Sequence, residues 1–324
     1  MFLRRSYSLI DFNIVLRQKL RYMNPKVFSI ATALLAIVAL MVIALPRITD
    51  TSGSPDKGGY VEKIMELPTG VTLSYAEHGR KDGLPVIFLH GFTDSWHSFE
   101  YVLDKFPTNL HAIAISHRGH GNSTKTARTD DTKYFAADVA SFIRKKNLGS
   151  CIIVGHSLGG LITQRFALDY PELTKAIVIV GSEPSFADNS GIPEFVSEIK
   201  KLSDPIDPRF AEAFQWSAVA KPMDSVVMKM FIGESLKVPA QVWNSVGDLL
   251  MATDFSKELR KIKVPALILW GSQDGFCKLK GQQQFTEGLS NSRLVVYKGT
   301  GHSIHWEDGD RFVKDVAFFI EKLE

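Results

Sequence analysis

The chain has 324 residues, 45% of them hydrophobic and 23% charged, which is enough to bury a sizeable core and too apolar for a disordered chain. Its net charge is +3, but Arg4, Arg5, Arg17, Lys19, Arg21 and Lys26 against Asp11 put an excess of five positive charges before residue 27. The remainder is slightly acidic, which excludes the basic footprint of a nucleic-acid-binding protein. Two cysteines, Cys151 and Cys277, are too few for a disulfide framework.

Val27 to Leu45 is a run of nineteen residues without a charge. At about 1.5 Å rise per residue it spans about 28 Å, close to a bilayer core. The basic residues of 1–26 precede it, so the positive-inside rule predicts a single-pass anchor with a cytoplasmic N-terminus and the rest of the chain on the periplasmic or extracytoplasmic side. A cleavable signal translated from Met23, giving a secreted or periplasmic protein, is the competing reading. Against it, the run exceeds the usual hydrophobic region of about 7–15 residues and no A-x-A-like site precedes Pro46. Residues 46–59 are rich in Gly, Ser, Pro and Asp and read as a flexible tether.

A folded domain is predicted over 60–324. Val61 to Leu67 and Val71 to Glu77 are short alternating runs around Pro68-Thr69-Gly70, the pattern of an antiparallel hairpin. Continuous apolar runs follow at Pro85 to Leu89, Ala112 to Ile115, Cys151 to Val154, Ala176 to Val180, Pro265 to Trp270 and Leu294 to Tyr297, as expected of strands buried on both faces of a parallel sheet. Helix-period segments at Ser98 to Lys105, Thr132 to Lys146, Gly159 to Tyr170, Gly281 to Leu289 and Asp308 to Leu323 alternate with them. This spacing puts Cys151 and Cys277 at opposite ends of neighbouring strands, beyond the ~7 Å limit for a bridge, so both are expected to be free. Residues 183–263 break the alternation. They hold helical patches rich in Phe, Trp and Met and are predicted to form a helical cap over one end of the sheet.

Gly155-His156-Ser157-Leu158-Gly159 lies directly after one strand and before a helix. G-x-S-x-G at such a junction is the pattern of a nucleophile elbow, which would raise Ser157 above the sheet. A serine hydroxyl attacks only with a base to take its proton and a third group to orient that base. Asp274 follows one later strand and His302 follows the next, at the sheet edge where ligands of open α/β sheets bind, and in the chain order this elbow requires. His305 is the alternative base, and Glu183 and Asp248 are alternative acids. His117 and His120 lack a third ligand at metal spacing. Oxyanion donors are expected from the backbone N–H groups of Phe92, in His90-Gly91-Phe92 after a strand, and Leu158. His90 is expected to brace its loop.

With HGF after the third strand, SHRGHGNS after the fourth, GHSLGG at the elbow, and WGSQD and GTGHS late, residues 60–324 resemble the α/β-hydrolase superfamily. The resemblance implies an eight-stranded, mostly parallel sheet with helices on both faces, a lid inserted after the sixth strand, and a Ser157, His302, Asp274 triad working without cofactor or metal. One departure is His117, where many relatives carry Asp; no loss of activity is expected from it. Superfamily members that open epoxides or remove halide use Asp at the elbow, so Ser157 points instead to acyl transfer. The expected activity is hydrolysis of a small-molecule carboxylic ester with a small to medium apolar acyl group. Lactonase, monoacylglycerol lipase and C–C hydrolase activities use the same residues, and a slow-turnover ligand receptor is the alternative of a different class.

Overall fold

The computed structural model describes residues 61–323, apart from 127, 188 and 190. The segment 27–45, read above as an anchor, lies outside the described residues, as do the basic segment before it and the tether after it. Among the described residues no helix is long and apolar enough to cross a membrane.

Eight strands form one sheet among these residues: β1 (Lys63–Glu66), β2 (Thr72–Gly79), β3 (Leu84–Leu89), β4 (Leu110–Ile115), β5 (Cys151–His156), β6 (Thr174–Val180), β7 (Ala266–Gly271) and β8 (Ser292–Tyr297). Their order is β1-β2-β4-β3-β5-β6-β7-β8. The β1–β2 and β2–β4 pairs are antiparallel, and the others are parallel. The hairpin expected at 61–77 is thus β1–β2, and the mostly parallel sheet of an α/β-hydrolase is present.

The apolar runs are continuous because the sheet is covered on both faces. Successive residues point to opposite sides: Ile87, Leu89, Ile153, Ile177, Ile179 and Ile268 enter one core, while Val86, Phe88, Ile152, Val154, Val178 and Leu267 enter the other. Helices α1 (Glu100–Leu103), α2 (Thr132–Lys145) and α3 (Leu158–Asp169) lie between the strands up to β6. Phe135 and Phe142 of α2 and Leu161 and Phe166 of α3 fill the first core. Val102 and Leu103 of α1 fill the second. The Asp131 side chain caps α2 by accepting from the Lys133 N–H, satisfying one of the donors that a helix start leaves free.

Between β6 and β7 stand α4 (Ile192–Ile199), α5 (Pro208–Ser217), α6 (Ser225–Leu236) and α7 (Ala240–Ala252), in the interval read as a cap. Its two chain passages meet in an antiparallel bridge between Ser185 and Asp254, which ties the entrance of the insertion to its exit. The chain closes with α8 (Leu279–Gly288), the single turn α9 (Ile304–Glu307) and α10 (Gly309–Glu321), whose Phe312, Val316 and Ile320 join the second core.

The two cysteines are free and buried, but β6 lies between β5 and β7. The strands beside Cys151 and Cys277 are therefore not neighbours, because β6, earlier in the chain than β7, inserts between them. The loop after β4 is held by a buried ion pair: Arg118 Nε and Nη2 donate to Asp138 on α2, both at 2.7 Å, and Thr69 adds a third bond at 2.8 Å.

Candidate active site

The turn from β5 into α3 packs too closely for any side chain at two positions. A Cβ on Gly155 would lie 2.1 Å from the Gly159 carbonyl oxygen, and one on Gly159 would lie 2.1 Å from that of Leu89. Between them Ser157 adopts φ 53°, ψ −115°, a conformation that a non-glycine residue holds only when its surroundings over-determine it. Bonds from the Ser157 N–H to the Val180 carbonyl (3.0 Å) and from the Ser182 hydroxyl to the Ser157 carbonyl (2.9 Å) supply that restraint. The serine is consequently raised on the carboxyl edge of the sheet.

Asp274 and His302 come to the same edge from the loops after β7 and β8. His302 Nδ1 lies 3.0 and 2.9 Å from the two Asp274 carboxylate oxygens. The same carboxylate accepts the N–H groups of Phe276 (2.8 Å) and Cys277 (2.9 Å), so it is anchored before it meets the imidazole. The Asp274 side chain is fully buried. Ser157 and His302 line one cavity without a hydrogen bond between their side chains; such contacts are commonly loose in ligand-free enzymes and tighten with substrate.

The alternatives fall elsewhere. His305 Nε2 bonds the Ser98 hydroxyl at 3.0 Å. Glu183 accepts the Lys278 N–H, and burial pushes its carboxyl up to about 7. Asp248 pairs with Lys200 on the cap surface. Of the five acids and bases considered beside Ser157, only Asp274 and His302 are joined to each other.

The loop after β3 passes hard against the elbow. A Cβ on Gly91 would lie 2.8 Å from His156 Nδ1 and 3.3 Å from the Ser157 Cβ, and Phe92, the next residue of this loop, lines the cavity. Leu158 is the first residue of α3, where an N–H has no acceptor within the helix. His90 Nε2 accepts the His117 N–H at 2.9 Å, and its Nδ1 lies 2.7 Å from the Gly91 carbonyl. Both of its nitrogens are thus engaged with the two loops. His117 and His120 are buried with their rings near His90; burial lowers them to about 3 and about 4.

The cavity has about 480 Å³ of space between atoms, its open mouth included. Phe195 and Phe214 of the cap stack at 5.3 Å and meet Phe92 edge-on. Phe276 lies against His302 with ring centres 4.9 Å apart. Other cap aromatics serve packing: Trp243 and Phe231 are buried, and Phe231 stacks on Trp306. Part of the cap's aromatic set thus lines the cavity and part fills the cap's own core.

Two residues of this cavity escaped sequence reasoning. Asp94 lies two residues after the HGF turn, and Gln215 sits on α5; Gln215 Nε2 donates to Asp94 at 3.0 Å across the cap–sheet boundary. Burial raises Asp94 to about 7, against hydrogen bonds from Gln215 and Ser98 that pull it down. The only available signal was an acidic residue beside an oxyanion-type turn.

Burial of several histidines predicts that stability falls with acidification. His305 is lowered to about 3, and His90 and His156 are also well below the usual histidine range, in each case chiefly through desolvation. As pH falls below about 6.5, histidines of the unfolded chain bind protons that these folded ones refuse, and stability falls. Asp94 and Glu183 act in the opposite sense, since the folded state keeps their protons below about 7 while unfolded carboxylates release them. The histidines outnumber them, so the net effect as pH falls from about 6.5 to 4.5 is a loss of stability. Thermal melts across this range should show Tm dropping steeply; a flat Tm would contradict the assignment of these histidines as neutral in the fold.

Comparison with known proteins agrees with this architecture. A family model described as "Serine aminopeptidase, S33" matches residues 82–310. The chain is 26% identical over 273 residues to the bifunctional esterase/perhydrolase DCH of Acinetobacter calcoaceticus, covering 78% of this chain and 96% of that protein. It is 22% identical over 287 residues to epoxide hydrolase 3 of Xenopus tropicalis, covering 81% and 76%. The solved structure of an esterase from Exiguobacterium antarcticum superposes with a TM-score of 0.72 at 22% identity, covering 81% of this chain and all of that one. The match of the family model, together with the sheet order and the elbow, shows that the chain belongs to the serine aminopeptidase S33 family of the α/β-hydrolase superfamily.

Proposed function

We propose that the protein is a serine hydrolase that cleaves carboxylic esters of small to medium apolar acyl groups through an acyl-enzyme on Ser157. The single observation that carries this reading is the His302 imidazole held by Asp274 on the wall of the cavity that contains the strained Ser157. In the proposed reaction His302 takes the hydroxyl proton as Ser157 attacks the carbonyl, and Asp274 stabilises the imidazolium. The N–H groups of Phe92 and Leu158 receive the developing oxyanion. Collapse expels the alcohol, protonated by His302, and water activated by the same imidazole releases the acid. Phe92, Phe195, Phe214 and Phe276 would enclose the acyl chain.

An elbow serine favours this over epoxide opening, the activity named for one relative, which would need a carboxylate at position 157. Purified protein should release p-nitrophenol from butyrate and hexanoate esters over many turnovers. A single stoichiometric burst, with no continuing release, would favour the receptor alternative and reject the esterase reading.

The proposal extends to location, with 27–45 as a retained membrane anchor and the hydrolase domain on the extracytoplasmic side. The charge-free run and the basic residues before it support this. Carbonate-washed membranes should retain the full-length chain; a soluble product lacking its first ~45 residues would reject retention.

A further inference from the structure

Among the phenylalanines that wall the cavity stands one carboxyl group outside the Ser157, His302, Asp274 set. Asp94 is 3% exposed, yet it lines the cavity. Its Oδ1 accepts from Gln215 Nε2 at 3.0 Å and its Oδ2 from the Ser98 hydroxyl at 3.1 Å. Two oxygens offer about four acceptor positions, so roughly half of its bonding capacity is unspent at a wall that substrate must touch. Fastening the cap does not require it. Thr93, the preceding residue, already bonds Ser235 of α6 at 2.9 Å, joining the same loop to the cap, and an apolar pair would avoid the cost of burying a carboxyl group. Apolar cavities orient their ligands with a few placed polar groups.

We propose that Asp94, positioned by Gln215 and Ser98, is a specificity-determining residue that takes a hydroxyl group on the acyl part of the substrate, so that hydroxy-substituted acyl esters are selected over their unsubstituted counterparts. A hydroxyl suits this wall better than an ammonium group. It brings no charge into the surroundings of Phe92, Phe195 and Phe214, and it both donates and accepts, so it pairs with a carboxylate or a carboxylic acid. The proposal rests on the esterase reading of the same cavity.

The test compares kcat/KM for p-nitrophenyl butyrate with 3-hydroxybutyrate, and hexanoate with 6-hydroxyhexanoate. The wild-type protein should favour the hydroxylated member of at least one pair by about tenfold or more, mainly through KM. Asp94→Asn should keep part of that ratio, while Asp94→Ala should bring it to within about twofold of unity, whatever happens to the absolute rates. Asp94→Leu, which fills the space without a polar atom, reads the same ratio if the alanine variant does not fold. A purely structural role would lower both members of a pair equally and leave the ratio intact; that result, or no wild-type preference in either pair, overturns the proposal. Calorimetric binding of hexanamide and 6-hydroxyhexanamide to Ser157→Ala separates the two readings. Equal affinities there refute the role of Asp94 alone, whereas tighter binding of the hydroxylated amide without turnover of any ester by the wild type refutes the esterase reading alone.

Discussion

Ser157→Ala is expected to lower kcat on p-nitrophenyl butyrate by about 10⁴-fold or more, and Asp274→Asn by about 10³–10⁴-fold, with KM changed far less. In the proposed mechanism the first change removes the attacking atom. The second leaves the loop fold in place, because the amide oxygen of Asn still accepts the N–H groups of Phe276 and Cys277 that now hold Asp274, but it no longer stabilises a protonated His302. Combining the two substitutions should cost little more than Ser157→Ala alone, because in the proposed mechanism the residues act as one unit. Losses that multiply would mean that Asp274 acts independently of Ser157. Activity retained in Ser157→Ala would assign the chemistry to another group.

The second large effect concerns stability. Removing one partner of the Arg118–Asp138 pair, as in Arg118→Ala or Asp138→Ala, is expected to destabilise the fold by about 3–5 kcal/mol. Both side chains are buried, with 6% and 3% exposure, so deleting either leaves a charge in the interior without its counter-ion. The surface pair Arg144–Glu172, exposed by more than half on both sides, provides the contrast: its loss should cost under about 1 kcal/mol. Denaturant midpoints of the four single variants would decide. Equal, small shifts at both pairs would mean that the loop after β4 is not fastened by Asp138.

The β-sheet was legible because burial on both faces leaves a simple trace, an unbroken apolar run. Ile152 and Ile153 point to opposite cores, and neither tolerates a polar residue. Ser157, Asp274 and His302 were legible for a related reason, since each follows such a run and must emerge at the same edge. Strand order was less visible. A run of Val and Ile does not encode its neighbour, and so the apolar pattern puts Cys151 and Cys277 at the ends of adjacent strands, whereas β6 lies between β5 and β7. Least visible was the pairing of Asp94 with Gln215, which are 121 residues apart and meet only when the cap has folded onto the sheet. Within the cap, Phe195 and Trp243 look alike in sequence; one faces the cavity and the other the interior because of how α4 and α7 turn toward each other, a tertiary outcome that amino-acid spacing does not set.

The proposed chemistry depends on the reactivity of one hydroxyl, that of Ser157. Incubating the folded protein with an alkyl fluorophosphonate and mapping the added mass by peptide sequencing tests it most directly. One label per chain, carried by Ser157 and absent from Ser157→Ala, is the predicted result. No label on a folded protein, or a label on another residue that persists in Ser157→Ala, would contradict the account.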